Sequence, residues 1–248
     1  MTVLSLILYI LWIFLAASLF RILFHKVLAE RFHGKAVPHT TPSICASCLA
    51  VASFFFMPSG SLPAFFSIPH GGGVAVACLV VSFVCSPGRK VALIPLLFIV
   101  FVVATAFGYV YQAGFPGSFA SLNSFVAVPI WGAVSFTAFC GFFLLAAVFL
   151  WAAGNWVACL IQDFSSETVL RVFAVSALFV TIFIPWNSAP YSNWPDVFVA
   201  GGDFLLFWAK IFFMAFCLFF YPLRFSGVWR VLALLCGVGA LLLFLALR

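Results

Sequence analysis

Charge is scarce in this chain. Of its 248 residues only 6% are Asp, Glu, Lys or Arg, and the acids number 5. A soluble domain carries about 25% charged residues, and so few cannot cover a water-facing surface. An ordinary globular fold, a disordered segment, a collagen-like chain and a nucleic-acid-binding module are all excluded. The patterns of self-contained catalysis are missing as well. There is no HExxH-type metal pair, no Gly-Lys-Ser/Thr phosphate loop and no recognisable Ser/His/Asp set. Cys45 and Cys48 have CxxC spacing, but no second pair completes a zinc site, so they read as small apolar side chains. The four His suit haem poorly, since His25, His33 and His39 share one stretch and His70 sits in a loop. The first residues run straight into an apolar segment without a basic leader, so no cleavable signal is expected.

What is present is hydrophobic: 67% of the chain, with 35 Phe. At about 20 residues per helical crossing, the length holds roughly seven or eight spans. Apolar runs bounded by Gly, Pro and charge place eight, at 3–23, 42–57, 73–85, 91–111, 125–152, 167–187, 198–221 and 228–247. The second and third are short and joined by a Pro- and Gly-rich connection, so a tilted, broken or re-entrant course is open there. Hydrocarbon forbids open strand edges, and the period-two alternation of a barrel is missing. The expected fold is all-α: a single polytopic membrane domain over residues 1–248, with about eight transmembrane helices and an interfacial amphipathic helix.

The basic residues support that count. Arg21, Lys26, Arg31, Lys35, Arg89, Lys90, Arg171, Arg224 and Arg230 lie in or beside the odd-numbered connections, and the even ones carry only Asp196. Arg248 falls on the opposite side and Lys210 lies inside the seventh span. Lys and Arg collect on the cytoplasmic or matrix side, so the odd connections should face inward and both termini outward.

Three places could carry chemistry. Residues 21–39, RILFHKVLAERFHGKAVPH, continue the first span with Phe24, Val27, Leu28 and Phe32 at helical spacing. This is either a helix lying along the interface or a basic collar anchoring the span. Asp203 and Lys210 sit at membrane depth two helical turns apart, where ionisable groups are functional candidates. Asp163, Glu167 and Arg171 repeat every four residues, so they share a face and Glu167 can pair with Arg171. That triad reads either as an ion-paired helix start or as the mouth of a hydrated proton or quinone path.

Three stretches resemble the NADH dehydrogenase subunit 1 (NuoH-like) family of respiratory complex I. Residues 19–28, LFRILFHKVL, are similar to the ERKVLG-like phrase that ends the family's first span. Residues 177–186, ALFVTIFIPW, with Glu167 upstream, are similar to its sixth span. Phe207-Trp208-Ala209-Lys210, Tyr221-Pro222-Leu223-Arg224 and Trp229-Arg230 resemble its seventh span, the following turn and the start of the last span. The acidic residues usual in the ERKVLG-like phrase and in the fifth span have no counterpart.

The resemblance implies a membrane-arm subunit of proton-pumping NADH:ubiquinone reductase, contributing to an enzyme without a self-contained active site. Phe24, Lys26 and Arg31 would belong to the ubiquinone entrance. Asp163, Glu167, Arg171, Asp203 and Lys210 would form a proton or charge path. Ubiquinone would be the substrate, with no metal or flavin on this chain, and electrons would come from iron–sulfur subunits of a large hetero-oligomer. The heavy use of Phe, Leu and Cys points to the mitochondrial inner membrane, with a bacterial plasma membrane as the other setting. A membrane subunit of a hydrogenase-type complex, a stand-alone small transporter and a subunit that has lost its chemistry are the other readings.

Overall fold

The computed structural model describes residues 3–29, 41–58, 66, 71–85, 93–112, 136–160, 166–184, 196–220 and 227–246. Among them the chain forms eight α-helices and no strand. They are α1 (Val3–Ala29), α2 (Thr41–Phe54), α3 (Gly71–Val84), α4 (Leu93–Gln112), α5 (Phe136–Leu160), α6 (Ser166–Phe183), α7 (Asp196–Phe220) and α8 (Gly227–Ala246). Each corresponds to one apolar run of the sequence. A helix satisfies its backbone donors and acceptors within itself, which is what a segment without access to water requires.

Three of the helices, over Val3–Phe24, Phe136–Val157 and Asp196–Phe220, are long and apolar enough to cross a membrane. Shorter apolar stretches lie in α2, α3, α4 and α8. The outward faces are as apolar as the inward ones. On α1 the exposed residues include Leu4, Leu8, Leu11, Leu15, Leu19 and Ile22, while Tyr9, Ile13, Ala16, Ala17 and Phe20 turn inward. A soluble helix would put polar groups on that outer face. This is the architecture of a polytopic membrane protein.

Ring contacts give the relative directions of the helices. Trp12–Phe204, Phe20–Phe212 and Phe24–Phe216 lie 5.5, 5.5 and 4.8 Å apart, so α1 and α7 run the same way. Phe98–Trp151 at 5.1 Å and Tyr109–Phe142 at 5.5 Å set α4 against α5 in opposite directions. Phe142–Phe183 at 6.3 Å and Phe149–Phe179 at 5.4 Å do the same for α5 and α6.

Helix α6 is the axis of the bundle. Every residue from 169 to 183 is buried, and α1, α2, α5 and α7 all pack on it. Surrounded by protein rather than lipid, it can carry Arg171, Ser176 and Thr181 among its buried residues. At its flank, Phe20 of α1 is fully buried, with Phe173, Phe212 and Phe219 at 5.3, 5.5 and 5.8 Å. With lipid on the outside, such contacts hold the bundle by close packing rather than by removal of surface from water.

Several helix ends depart from the sequence expectation. α1 continues unbroken to Ala29, six residues past the expected end of the first span at 23. Thus 24–29 continues the helix of the first span, and residues 30–39 lie outside the described residues. α5 runs to Leu160, beyond the expected end at 152. Asn155 does not stop it, because its side-chain amide donates to the Trp151 carbonyl one turn back at 2.7 Å. α6 ends at Phe183, short of the expected 187. Pro185 follows, and the residue before a proline is driven out of the helical region. α2 and α3 are 14 residues each, about 21 Å long, which is less than a bilayer core. They are tied together by the Ser82 hydroxyl, which donates to the Ala46 carbonyl.

Candidate functional site

The charged side chains described at depth gather on α6 and α7. Glu167 occupies the first turn of α6, and its carboxylate lies 3.9 Å from the guanidinium of Arg171, one turn on. Arg171 is buried and Glu167 half-buried. An acid at a helix N-terminus is favoured by the macrodipole, and the i,i+4 spacing lets it meet the cation directly.

The opposite end of α6 is served from α7. The last helical bond runs from the Ile184 amide to the Val180 carbonyl at 3.0 Å. The Ile184 carbonyl accepts a hydrogen bond from the Lys210 ammonium at 3.1 Å. Carbonyls at a helix C-terminus lack helical donors and carry the negative end of the dipole, so a cation there is doubly suited. Asp203 lies two turns before Lys210 on α7, is only 3% exposed, and acts electrostatically on the lysine. The enclosed helix thus has an acid at its positive end and a lysine at its negative end.

Aromatic side chains fill the space along α6 and α7. Trp208 stacks on Phe54 at 5.8 Å with rings 10° from parallel, and meets Trp12 edge-on at 6.1 Å. Phe173 touches Trp208 and Phe212 at 6.2 and 5.3 Å. The indole N–H groups of Trp12 and Trp208 and the hydroxyls of Ser176 and Thr181 are buried without a hydrogen-bond partner among the described residues. Arg171, Ser176 and Thr181 are five residues apart in turn, so they point in different directions around α6 and form no single stripe.

Of the residues expected to act, Glu167 and Arg171 are brought together at 3.9 Å, while Asp203 and Lys210 lie two turns apart on α7 and Lys210 bonds to the Ile184 carbonyl. Phe24 packs on Phe20 at 4.7 Å and on Phe216 at 4.8 Å, which places it in an aromatic cluster along α1 and α7. Lys26 lies on the last turns of α1. Arg31 and Asp163 lie outside the described residues. Cys45 and Cys48 are both exposed free thiols on α2.

Two features escaped the sequence reading. The Tyr109 hydroxyl donates to the Ala240 carbonyl at 2.7 Å, joining α4 to α8. Trp12 and Trp208 meet deep in the bundle. A signal for the second existed, because Trp in membrane proteins prefers the interfaces and both residues fall in mid-span.

No protein-family model matches the chain, and no curated protein matches it in sequence.

Proposed function

We propose that the chain is a membrane-arm subunit of a proton-translocating NADH:ubiquinone oxidoreductase, of the subunit 1 type. The observation that carries this reading is the pairing of charges around the enclosed helix α6. A Glu167–Arg171 pair stands at one end, and Lys210, under the influence of Asp203, stands at the other. Ionisable groups placed at this depth in an apolar bundle are expensive to keep, and they mark ion or proton routes in membrane proteins. The order of the three family-like stretches along an eight-helix frame supports the particular assignment.

In this reading Glu167, Arg171, Asp203 and Lys210, with Asp163 beyond the described residues, respond to quinone reduction by shifts of charge. The partly exposed aromatic pair of Phe24 and Phe216 suits an isoprenoid tail, and the family resemblance assigns Lys26 and Arg31 to the same entrance. Electrons arrive from iron–sulfur centres of other subunits. The protein resides in the mitochondrial inner membrane with both termini towards the intermembrane space.

Isolation in mild detergent followed by identification of co-migrating proteins tests the class. A large assembly with flavin and iron–sulfur proteins is expected. A nickel–iron partner instead would assign the hydrogenase-type relative, and a lone small polypeptide would refute both. Within the assembly, Glu167→Gln and Lys210→Met should lower coupled proton translocation more than they lower assembly. Unchanged coupling in both variants would refute the charge path.

A further inference from the structure

Helices α4 and α8 run the same way and leave a groove between them. Tyr109 meets Phe244 at 5.3 Å near their C-terminal ends, and a Cβ on Gly108 would lie 3.0 Å from the Phe244 ring. Between the two helices lies a cavity of about 320 Å³. Its α4 wall is Leu97, Phe98 and Phe101, and its α8 wall is Leu234, Val238 and Leu241. Gly237 lies between these on α8, backed by Phe101 and Val148. Leu97, Leu234, Val238 and Leu241 are exposed, so the groove opens sideways into the bilayer.

We propose that this groove holds an acyl chain of a net-anionic phospholipid whose phosphate lies at position 230. Arg230, in the first turn of α8, precedes Leu234, Gly237, Val238 and Leu241 by 4, 7, 8 and 11 residues. At 3.6 residues per turn these positions share one helix face. Position 230 therefore lies about 6 Å along the axis from Leu234, on the N-terminal side of the α8 residues that line the groove. An apolar slot on a helix whose first turn carries Arg230 matches the two parts of such a lipid. A transmembrane helix as occupant fits poorly. Close helix approach needs small residues, whereas six of the seven lining residues here are Leu, Phe or Val. A helix is also about 10 Å across, too broad for this volume. One basic residue near the headgroups supplies about a fivefold preference for an anionic lipid. The inference stands apart from the respiratory-complex reading.

The test uses the full chain, in whatever assembly it purifies with, reconstituted in phosphatidylcholine vesicles. These contain a trace of either phosphatidylglycerol or phosphatidylcholine bearing a photoactivatable group on one acyl chain. Crosslinks, mapped by mass spectrometry, should concentrate on 93–112 and 227–246 relative to the lipid-facing residues Leu8, Leu11 and Leu15 of α1. Phosphatidylglycerol should label the groove about five times more than phosphatidylcholine. Arg230→Gln should abolish that preference while leaving acyl-chain labelling, and Val238→Trp, which fills the slot, should abolish the excess. If Val238→Trp does not fold, Arg230→Gln still decides. Labelling no greater than on α1, a headgroup preference that survives Arg230→Gln, or crosslinks to a protein partner covering the groove would each overturn the proposal.

Discussion

Gly141 offers the sharpest test of the packing. The Tyr109 hydroxyl of α4 passes directly over Gly141 of α5 to reach the Ala240 carbonyl of α8. A Cβ at position 141 would collide with that hydroxyl and would stand 2.6 Å from Cζ and 3.2 Å from Cε1 of the same ring. The ring cannot easily yield, because Tyr109 is 1% exposed and held by Phe142 and Phe244 at 5.5 and 5.3 Å. Overpacking of this kind costs about 1–3 kcal/mol. Displacing the ring also breaks an interhelical hydrogen bond, worth about 0.6–1.7 kcal/mol in a membrane protein. Gly141→Ala should therefore destabilise by about 2–4 kcal/mol. This is opposite in sign to the gain of up to about 1 kcal/mol that Gly→Ala gives in an unhindered helix. Gly201→Ala and Gly202→Ala, where a Cβ meets nothing within 4 Å, are the controls and should be neutral or stabilising. Tyr109→Phe alone should cost only the hydrogen bond. The double variant should fall short of the sum, since both changes remove that same bond. Reversible unfolding of the full-length protein in mixed detergent micelles, followed by tryptophan fluorescence, measures all five variants. A Gly141→Ala protein as stable as the controls, or strict additivity with Tyr109→Phe, would refute the three-helix clamp.

Other consequences follow from the charges and thiols. Lys210→Met should lower stability by about 1–3 kcal/mol through loss of a charged hydrogen bond, and Lys210→Arg should restore part of it in the same unfolding assay. Glu167→Gln removes a carboxylate from the buried Arg171 and should be the more damaging single change. Glu167→Gln with Arg171→Met should recover much of the loss, because both charges then leave the interior. Cys217, exposed three residues before the end of α7, should react in membrane vesicles much faster with a membrane-permeant thiol reagent than with a charged impermeant one. Rapid labelling by the charged reagent would argue against a lipid-facing position.

The helices were legible because lipid solvation leaves a plain mark: long apolar runs that Pro, Gly and charge interrupt. Their ends were less so. Asn155 looks like a terminator until its side chain is seen bonding its own helix. The Glu167–Arg171 pair could be read from spacing because both partners lie on one helix. The Lys210 bond could not, since its acceptor is a backbone carbonyl, which every residue possesses, and α6 had first to be placed beside α7. The Tyr109 link joins residues 131 positions apart and depends on a glycine that only the third helix reveals. Phe24 was singled out for its position after the first span, and the structure gives it aromatic neighbours on α7.

The enclosure of α6 bears on how the molecule is made. A segment that carries Glu167 and Arg171 in its first two turns and has no lipid-facing side is a poor candidate for independent insertion. It emerges from the ribosome after α1, α2 and α5, which form part of its sheath, and before α7, which completes it. Biogenesis must therefore hold α6 among its earlier neighbours until α7 arrives. A nascent chain stopped between the two would present its polar groups to the quality-control proteases of the membrane.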